Sequence, residues 1–446
     1  MEVKIISTEC IKPSSPTPHH LRNHKLSFFD QYAPHQQIPL VLFYSLNKEE
    51  NLTPSDINHI VSERLQLLKQ SVSETLSRFY IFAGKIKDHC AVDCNDEGIY
   101  FAEARVDSLL NDLLSHPDIH LMSKFLPYDG LWRPNAGNHV AGVQVTTFAC
   151  GGIAVGIFVS HMIADGVAFS WFLKSWAARA RKNNEAEVYP KFDASSVFPY
   201  ENECPREKLL TPVLTSHLKF GKFITRRFVF DASAIAKLKA EATRSSVQNP
   251  TRVEVVTALF AKCFMAALKQ KPDSDKPFLL THAVNLRRKA IPQFSEYMGN
   301  FVRLSYVVFK DPDEELHDLV RQLKEGIAKV NRDFVSNLQG DEGLLNLIEA
   351  VKYEREVCDA AVDKISFSSW FNFGIYDLDF GWGKPDWAGM IGLNDSATFH
   401  NVVMLMDTRK GDGIEAWVYL LEEEMAKLLL DKELLAFATV DPNPLK

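Results

Sequence analysis

The run Val143-Gln-Val-Thr-Thr-Phe-Ala-Cys-Gly-Gly-Ile-Ala-Val-Gly-Ile-Phe-Val-Ser-His-Met-Ile-Ala-Asp-Gly166 leads directly into Val167-Ala-Phe-Ser-Trp-Phe-Leu-Lys-Ser-Trp176. Two apolar, β-branched segments, Val143–Phe148 and Ile153–Val159, predict strands that meet at Gly151-Gly152, and a helix is expected shortly after Gly166. This order delivers His161 to the C-terminal edge of a strand, in a loop that feeds a helix. α/β proteins commonly carry working side chains there, because the sheet fixes the backbone while the loop leaves the tip exposed. An imidazole so placed is a candidate general base, neutral near pH 7 and able to accept a proton. With 14 histidines in the chain, His161 and Asp165 also fit a bland reading, a core histidine beside an aspartate that caps a loop.

The same alternation of strand and helix extends in both directions. Ile57, Ile60, Val61, Leu65, Leu68, Val72, Leu76 and Phe79 fall at helical spacing, predicting an amphipathic helix from Asp56 to Phe79. Thr251-Arg-Val-Glu254 is a capping-box pattern after Pro250, and helix is expected from there to about Leu268. A third helix is predicted from Leu316 to Phe334, with Asp313, Glu314 and Glu315 at its dipole-favoured start. Further strands are expected at Phe278–Val284, Phe301–Phe309, Val402–Met406 and Ile414–Leu420. The last two flank Lys410-Gly-Asp-Gly413, a hairpin signal. The class is mixed α/β.

At 446 residues the chain exceeds the roughly 250–300 at which one core stops growing, so two domains are expected. From about Asn183 to Thr215 periodic apolar positions are sparse and prolines stand at 190, 199, 205 and 212, which suggests an inter-domain connection. The expected division is 1–185 for a first domain, 186–220 for the crossover and 221–446 for a second domain.

Composition removes several function classes. The chain is 46% hydrophobic and 24% charged, with 50 Lys+Arg against 57 Asp+Glu and a net charge of -7. That balance gives no footprint for nucleic acid or an anionic membrane surface. Seven scattered cysteines, none in a C-x-x-C pair, fit reduced thiols in a chain of this size. His89, Cys90 and Cys94 lack the second ligand pair that a structural zinc site requires, so no metal is expected. No apolar stretch reads as a signal peptide or a membrane span, and the expected compartment is the cytosol.

A second constellation is Asp379-Phe-Gly-Trp-Gly383. Two glycines around a tryptophan make a tight turn that an acidic residue at its start can anchor to an arginine or to free N–H groups. It lacks the spacing of a phosphate cradle. The chain also has no G-x-S-x-G elbow and no H-E-x-x-H. Chemistry at His161 would then be base-assisted attack by a substrate hydroxyl, without a covalent enzyme intermediate.

His161-Met-Ile-Ala-Asp165-Gly166 and Asp379-Phe-Gly-Trp-Gly383, in this order and half a chain apart, resemble the paired signatures of the plant BAHD acyl-CoA-dependent acyltransferases. Phe82-Ala-Gly-Lys85, Val284-Asn-Leu-Arg287-Arg288, Tyr297-Met-Gly-Asn300 and Ser368-Ser-Trp370 are similar to that family too. Met298 departs from the phenylalanine many members carry, a change expected to affect packing alone. The opening and closing segments look most like the vinorine synthase-like branch, acetyltransferases of alkaloid and terpenoid metabolism.

The resemblance implies two chloramphenicol acetyltransferase-like domains, each a mixed β-sheet with helices, joined by a long crossover loop. A channel between them would admit acyl-CoA from one face and an acceptor alcohol from the other, in a protein that is usually a monomer. A segment after residue 383 would pack back on the first domain. By the same resemblance His161 is the general base, and Asp165 supports its loop by pairing with an arginine, best matched by Arg287. Asp379 is grouped with catalysis in the family, although the turn itself argues for a structural role, with Gly381, Trp382 and Gly383, and for an ion pair. Ser368, Ser369 and Trp370 match a region near the acyl donor. The implied activity is transfer of an acyl group, acetyl first, from acyl-CoA to a hydroxyl of a lipophilic plant metabolite. Longer or aromatic acyl donors, an amine acceptor, or a non-catalytic binding protein on this fold are the alternatives.

Overall fold

The computed structural model describes residues 1–34, 36–46, 52–127, 137–182, 188–199, 211, 213, 215–268, 277–290, 293–311, 313–340, 342–360 and 363–445. Its first sheet contains β1 (Lys4–Ile11), β2 (Gln37–Tyr44), β3 (Ile99–Val106), β4 (Ala141–Phe148) and β5 (Ile153–Ser160). The second contains β6 (Lys219–Phe230), β7 (Phe278–Asn285), β8 (Val302–Phe309) and β9 (Asp363–Ser369). Four later strands divide between the two sheets: β10 (Trp387–Gly389), β11 (Asn394–Phe399), β12 (Val402–Asp407) and β13 (Ile414–Leu421).

The first sheet runs β1-β3-β4-β5-β2-β10 and the second β8-β7-β9-β12-β13-β6-β11. Each is mixed: β3 and β4 are parallel, as are β7 with β9 and β9 with β12, while the other neighbours are antiparallel. β10 comes from the C-terminal half of the chain yet pairs with β2, Ala388 opposite Leu42. Every residue of β5 is buried, as expected of a strand covered on both faces. Gly156 at its middle is needed for space, since a Cβ there would lie 1.8 Å from the carbonyl oxygen of Phe125.

The helices include α1 (Phe28–Tyr32), α2 (Pro54–Leu76), α3 (Gly166–Ala180), α4 (Arg252–Leu268), α5 (Leu316–Lys329) and α6 (Gly343–Ala360). α2 buries Leu68, Val72 and Leu76 in the core it shares with α3. There Trp176 is wholly enclosed and its indole N–H donates to Leu68 O at 3.2 Å and Ser71 Oγ at 3.0 Å. Burial of a side chain that size contributes about 3 kcal/mol, and the two acceptors remove the cost of sequestering the N–H. The capping box at Thr251 and Glu254 forms, and α4 runs on through Leu268.

One sequence expectation changes in detail. The helix predicted over 316–334 breaks after Lys329, and a separate short helix, Arg332–Asn337, restarts under an Asn331 cap that accepts from Phe334 N at 2.9 Å. The reason is packing: Leu316, Leu319, Val320 and Leu323 serve the core of the second sheet, whereas Val330, Val335 and Leu338 serve a different core at the domain seam. The hairpin expected around Lys410–Gly413 forms, with Asp407 opposite Ile414 and Gly413 N donating to Thr408 Oγ1 at 3.1 Å. Of the expected crossover, residues 186, 187, 200–210, 212 and 214 lie outside the described residues.

The seam core is where the site sits. Phe28 and Phe29 of α1 pack with Phe198, Phe294 and Phe301, drawn from three distant parts of the chain. This cluster brings α1 against the segment Tyr297-Met-Gly-Asn300 that precedes β8.

Candidate active site

β5 ends at Ser160, and His161 follows with its backbone N–H donating to Gln36 O at 2.9 Å, which ties the loop to the start of β2. Among the described residues the imidazole's one side-chain partner is Asn300, with Nδ1 to Oδ1 at 2.9 Å. The amide of Asn300 is oriented by its other contacts: Nδ2 lies 2.7 Å from His161 O and 3.0 Å from Asp30 Oδ1, both acceptors. Its Oδ1 therefore faces the ring and must accept, which places the ring proton on Nδ1 and the lone pair on Nε2. Burial holds the imidazole below its ordinary value near 6.5, so it is neutral at pH 7, while the residue keeps some accessible surface. A neutral, oriented and reachable nitrogen is what a base for a hydroxyl proton requires.

Asp165 is the N-cap of α3: Oδ1 accepts from Ala168 N at 2.9 Å. Oδ2 accepts from Arg287 Nη1 at 2.6 Å and Phe301 N at 3.0 Å. Arg287 is 2% exposed, and its other N–H groups donate to Tyr297 O and Gly299 O, both within 3.2 Å. Its guanidinium lies over the rings of Phe301 and Trp171. One carboxylate oxygen thus caps α3 and the other reaches across the seam, so Asp165 holds the loop that carries His161 and makes no hydrogen bond to its ring among the described residues.

Ser368 and Ser369 end β9, and Trp370 follows directly. Trp370 is nearly enclosed and packs beside Phe169 and Phe373. Its indole nitrogen would meet a Cβ on Gly166 at 2.9 Å, so the ring rests on the first turn of α3, next to Asp165. Ser368 and Ser369 are half-buried, and Ser369 Oγ accepts from Phe371 N at 3.3 Å.

The second signature lies elsewhere. Asp379 Oδ1 accepts from Gly381 N at 2.7 Å and Gly383 N at 2.9 Å, closing a turn in which Gly381 and Gly383 have φ of 110° and 106°. Arg181, at the C-terminal end of α3, reaches the Asp379 carbonyl. Among the described residues the carboxylate pairs with no cation, which corrects the ion pair expected for it: two backbone N–H groups take that place. Trp382 stacks on Phe380, meets the edge of Tyr44, and lies under the Arg64 guanidinium. Asp379 has no contact with His161, Asp165 or Arg287 among the described residues.

Two residues of the site escaped the sequence reading. Asn300 was legible only as part of Tyr297-Met-Gly-Asn300, without its role. Asp30 has a local signal, since Ser27-Phe-Phe-Asp30 is a capping-box pattern: Asp30 Oδ2 accepts from Ser27 N at 3.0 Å and Ser27 Oγ at 2.7 Å. Among the described residues no three His, Cys, Asp or Glu side chains converge as a metal would need, and no helix is long and apolar enough to cross a membrane.

Comparison with known proteins places this geometry. The Transferase family model matches residues 1–435. Over the full length of both chains the protein is 53% identical to epi-neemfruitin B 7-O-acetyltransferase L7AT of Melia azedarach and 54% identical to limonoid 7-O-acetyltransferase of Citrus sinensis. The crystal structure of vinorine synthase superposes with a TM-score of 0.81 at 32% identity, covering 99% of this chain and 100% of that one. F. sporotrichioides TRI101, at 17% identity and a TM-score of 0.69, shares the fold, covering 94% of this chain and 99% of its own. The resemblance carried by the two signatures is borne out, together with the pair of chloramphenicol acetyltransferase-like domains it implied. The chain belongs to the BAHD acyltransferases and is an enzyme of that family.

Proposed function

We propose that this enzyme transfers an acetyl group from acetyl-CoA to a hydroxyl of a limonoid-type triterpenoid. The observation that carries the chemistry is the hydrogen bond from His161 Nδ1 to Asn300 Oδ1, which leaves Nε2 as the proton acceptor. Support for the substrate class comes from the two limonoid 7-O-acetyltransferases that match the whole chain at 53% and 54% identity.

In the proposed reaction the acceptor hydroxyl gives its proton to His161 Nε2 as its oxygen bonds to the thioester carbonyl carbon. The tetrahedral oxyanion collapses, the C–S bond breaks, and the CoA thiolate recovers the proton from Nε2. One oriented base and two aligned substrates suffice, because the thiolate leaves readily. Asp165 and Arg287 hold the loop of His161, Ser368, Ser369 and Trp370 line the donor side, and Asp379 shapes the turn of the second signature. The proposed divisions remain 1–185, 186–220 and 221–446, in a cytosolic monomer. Incubating the purified protein with acetyl-CoA and a panel of limonoid alcohols, with release of free CoA followed alongside product mass, tests this reading. CoA release that depends on the acceptor supports it, and acceptor-independent hydrolysis or no release contradicts it.

A further inference from the structure

Asp30 is wholly buried, and both of its oxygens are spoken for. Oδ2 is held by Ser27 N and Ser27 Oγ, which closes the cap of α1. Oδ1 crosses the seam and accepts from two groups of one residue, Asn300 N at 2.7 Å and Asn300 Nδ2 at 3.0 Å. The approach is built into the backbone: Gly299 has φ of 102°, and a Cβ there would lie 2.8 Å from Asp30 Oδ1. A side chain at 299 would thus push the carboxylate off Asn300.

The asparagine amide has two orientations of nearly equal shape, and they have opposite consequences for His161. With Oδ1 toward the ring, the imidazole donates from Nδ1 and keeps its lone pair on Nε2. With Nδ2 toward the ring, Nδ1 must accept, the proton moves to Nε2, and the ring can no longer take a proton from a substrate hydroxyl. An ionised carboxylate accepts and cannot donate, so it excludes the second orientation, in which it would face an amide oxygen. The carbonyl oxygen of His161 favours the same orientation, at 2.7 Å from Nδ2.

We propose that Asp30 is a positioning residue for acyl transfer: it fixes the amide of Asn300 and through it the Nδ1–H tautomer of His161. This rests on the reading of His161 as the base. Asp30→Asn is the informative change, since the new amide can present either N–H or C=O to Asn300 and so admits both orientations of it. Because the His161 carbonyl still opposes the flip, the loss is graded, about tenfold in kcat, as for other outer-shell partners of working histidines.

Nitrogen NMR on protein carrying 15N-labelled histidine reads the tautomer directly, and steady-state kinetics with acetyl-CoA reads its consequence. In the wild type His161 is expected as Nδ1–H at pH 7.5; an Nε2–H ring there overturns the proposal without any variant being needed. In D30N the expected result is a mixed tautomer and about a tenfold lower kcat, with KM for acetyl-CoA within about twofold. An unchanged tautomer with unchanged kcat in folded D30N also overturns it. A wild type that shows the Nδ1–H ring but never consumes acetyl-CoA with any acceptor counts against the function above, not against the role of Asp30 in setting the ring.

Discussion

Arg287 and Asp165 form a buried ion pair across the two domains, Nη1 to Oδ2 at 2.6 Å, and Asp165 is at the same time the cap of the helix that follows His161. One carboxylate thus ties a helix start, the loop of His161 and the opposite domain into one unit. Removing a single member of a buried pair leaves an uncompensated charge, which typically costs about 3–5 kcal/mol. Arg287→Ala is expected to lose that much by urea unfolding, with a lower midpoint. Arg287→Lys should recover little of it, since one ammonium cannot span Asp165, Tyr297 O and Gly299 O as the fork does. An R287A protein as stable as the wild type would show that the pair does not organise the seam.

His161→Ala removes the proposed base and leaves Asp165, Asn300 and Asp30 without direct loss of their other partners. Transfer is expected to fall by about 10²–10⁴-fold, the usual contribution of a general base, while circular dichroism and the unfolding midpoint stay near wild type. Turnover within tenfold of wild type would remove His161 from the chemistry.

Asp379→Ala frees Gly381 N and Gly383 N, two backbone donors held by a carboxylate in a turn that lies apart from His161. Charge-assisted bonds of this kind contribute about 1.5–3 kcal/mol each when well buried, and Asp379 is only half-buried, so a loss of about 2 kcal/mol is expected. The fraction that folds should keep kcat within about threefold. A fully folded but inactive D379A would assign Asp379 a direct part in transfer.

Acid should destabilise the fold. Burial lowers His24 and His400 to about 4 and His217 to about 3, and it also lowers His161. A histidine depressed in the folded state binds its proton more readily when unfolded. Stability is therefore complete above about pH 6.5 and is lost as pH falls from there toward the folded values. Each of the first three should cost about 1–2 kcal/mol at pH 5. Burial raises Asp30 to about 6, which acts in the opposite sense: its contribution to stability grows as pH falls from about 6 toward 3.8, and it offsets about one histidine. Melting temperature measured from pH 8 to 5 should fall steadily below 6.5; a flat or rising profile would contradict these burials.

The readable parts of the site were those contained in short stretches of chain. His161 and Asp165 stand four residues apart between a buried strand and a helix, so local pattern sufficed to place them. Arg287 was reached through the family resemblance, and no spacing rule joins it to Asp165 over 122 residues. Asp30 and Asn300 are 270 residues apart, and their bond exists only because an aromatic cluster packs α1 against the segment before β8. Helical periodicity likewise continued past Val330, where a change of core broke the helix. The turn at Asp379 was legible as structure, but its choice of N–H groups over a cation depended on geometry that composition does not carry.

The most direct test of the central claim is a paired assay of wild-type and H161A protein with acetyl-CoA and limonoid alcohols, read by product mass and by free thiol. The expected result is a product heavier by one acetyl group, formed with one equivalent of CoA and only when acceptor is present, and formed about a hundredfold or more slower with H161A. Equal product from both proteins, or none from the wild type across the panel, would contradict it.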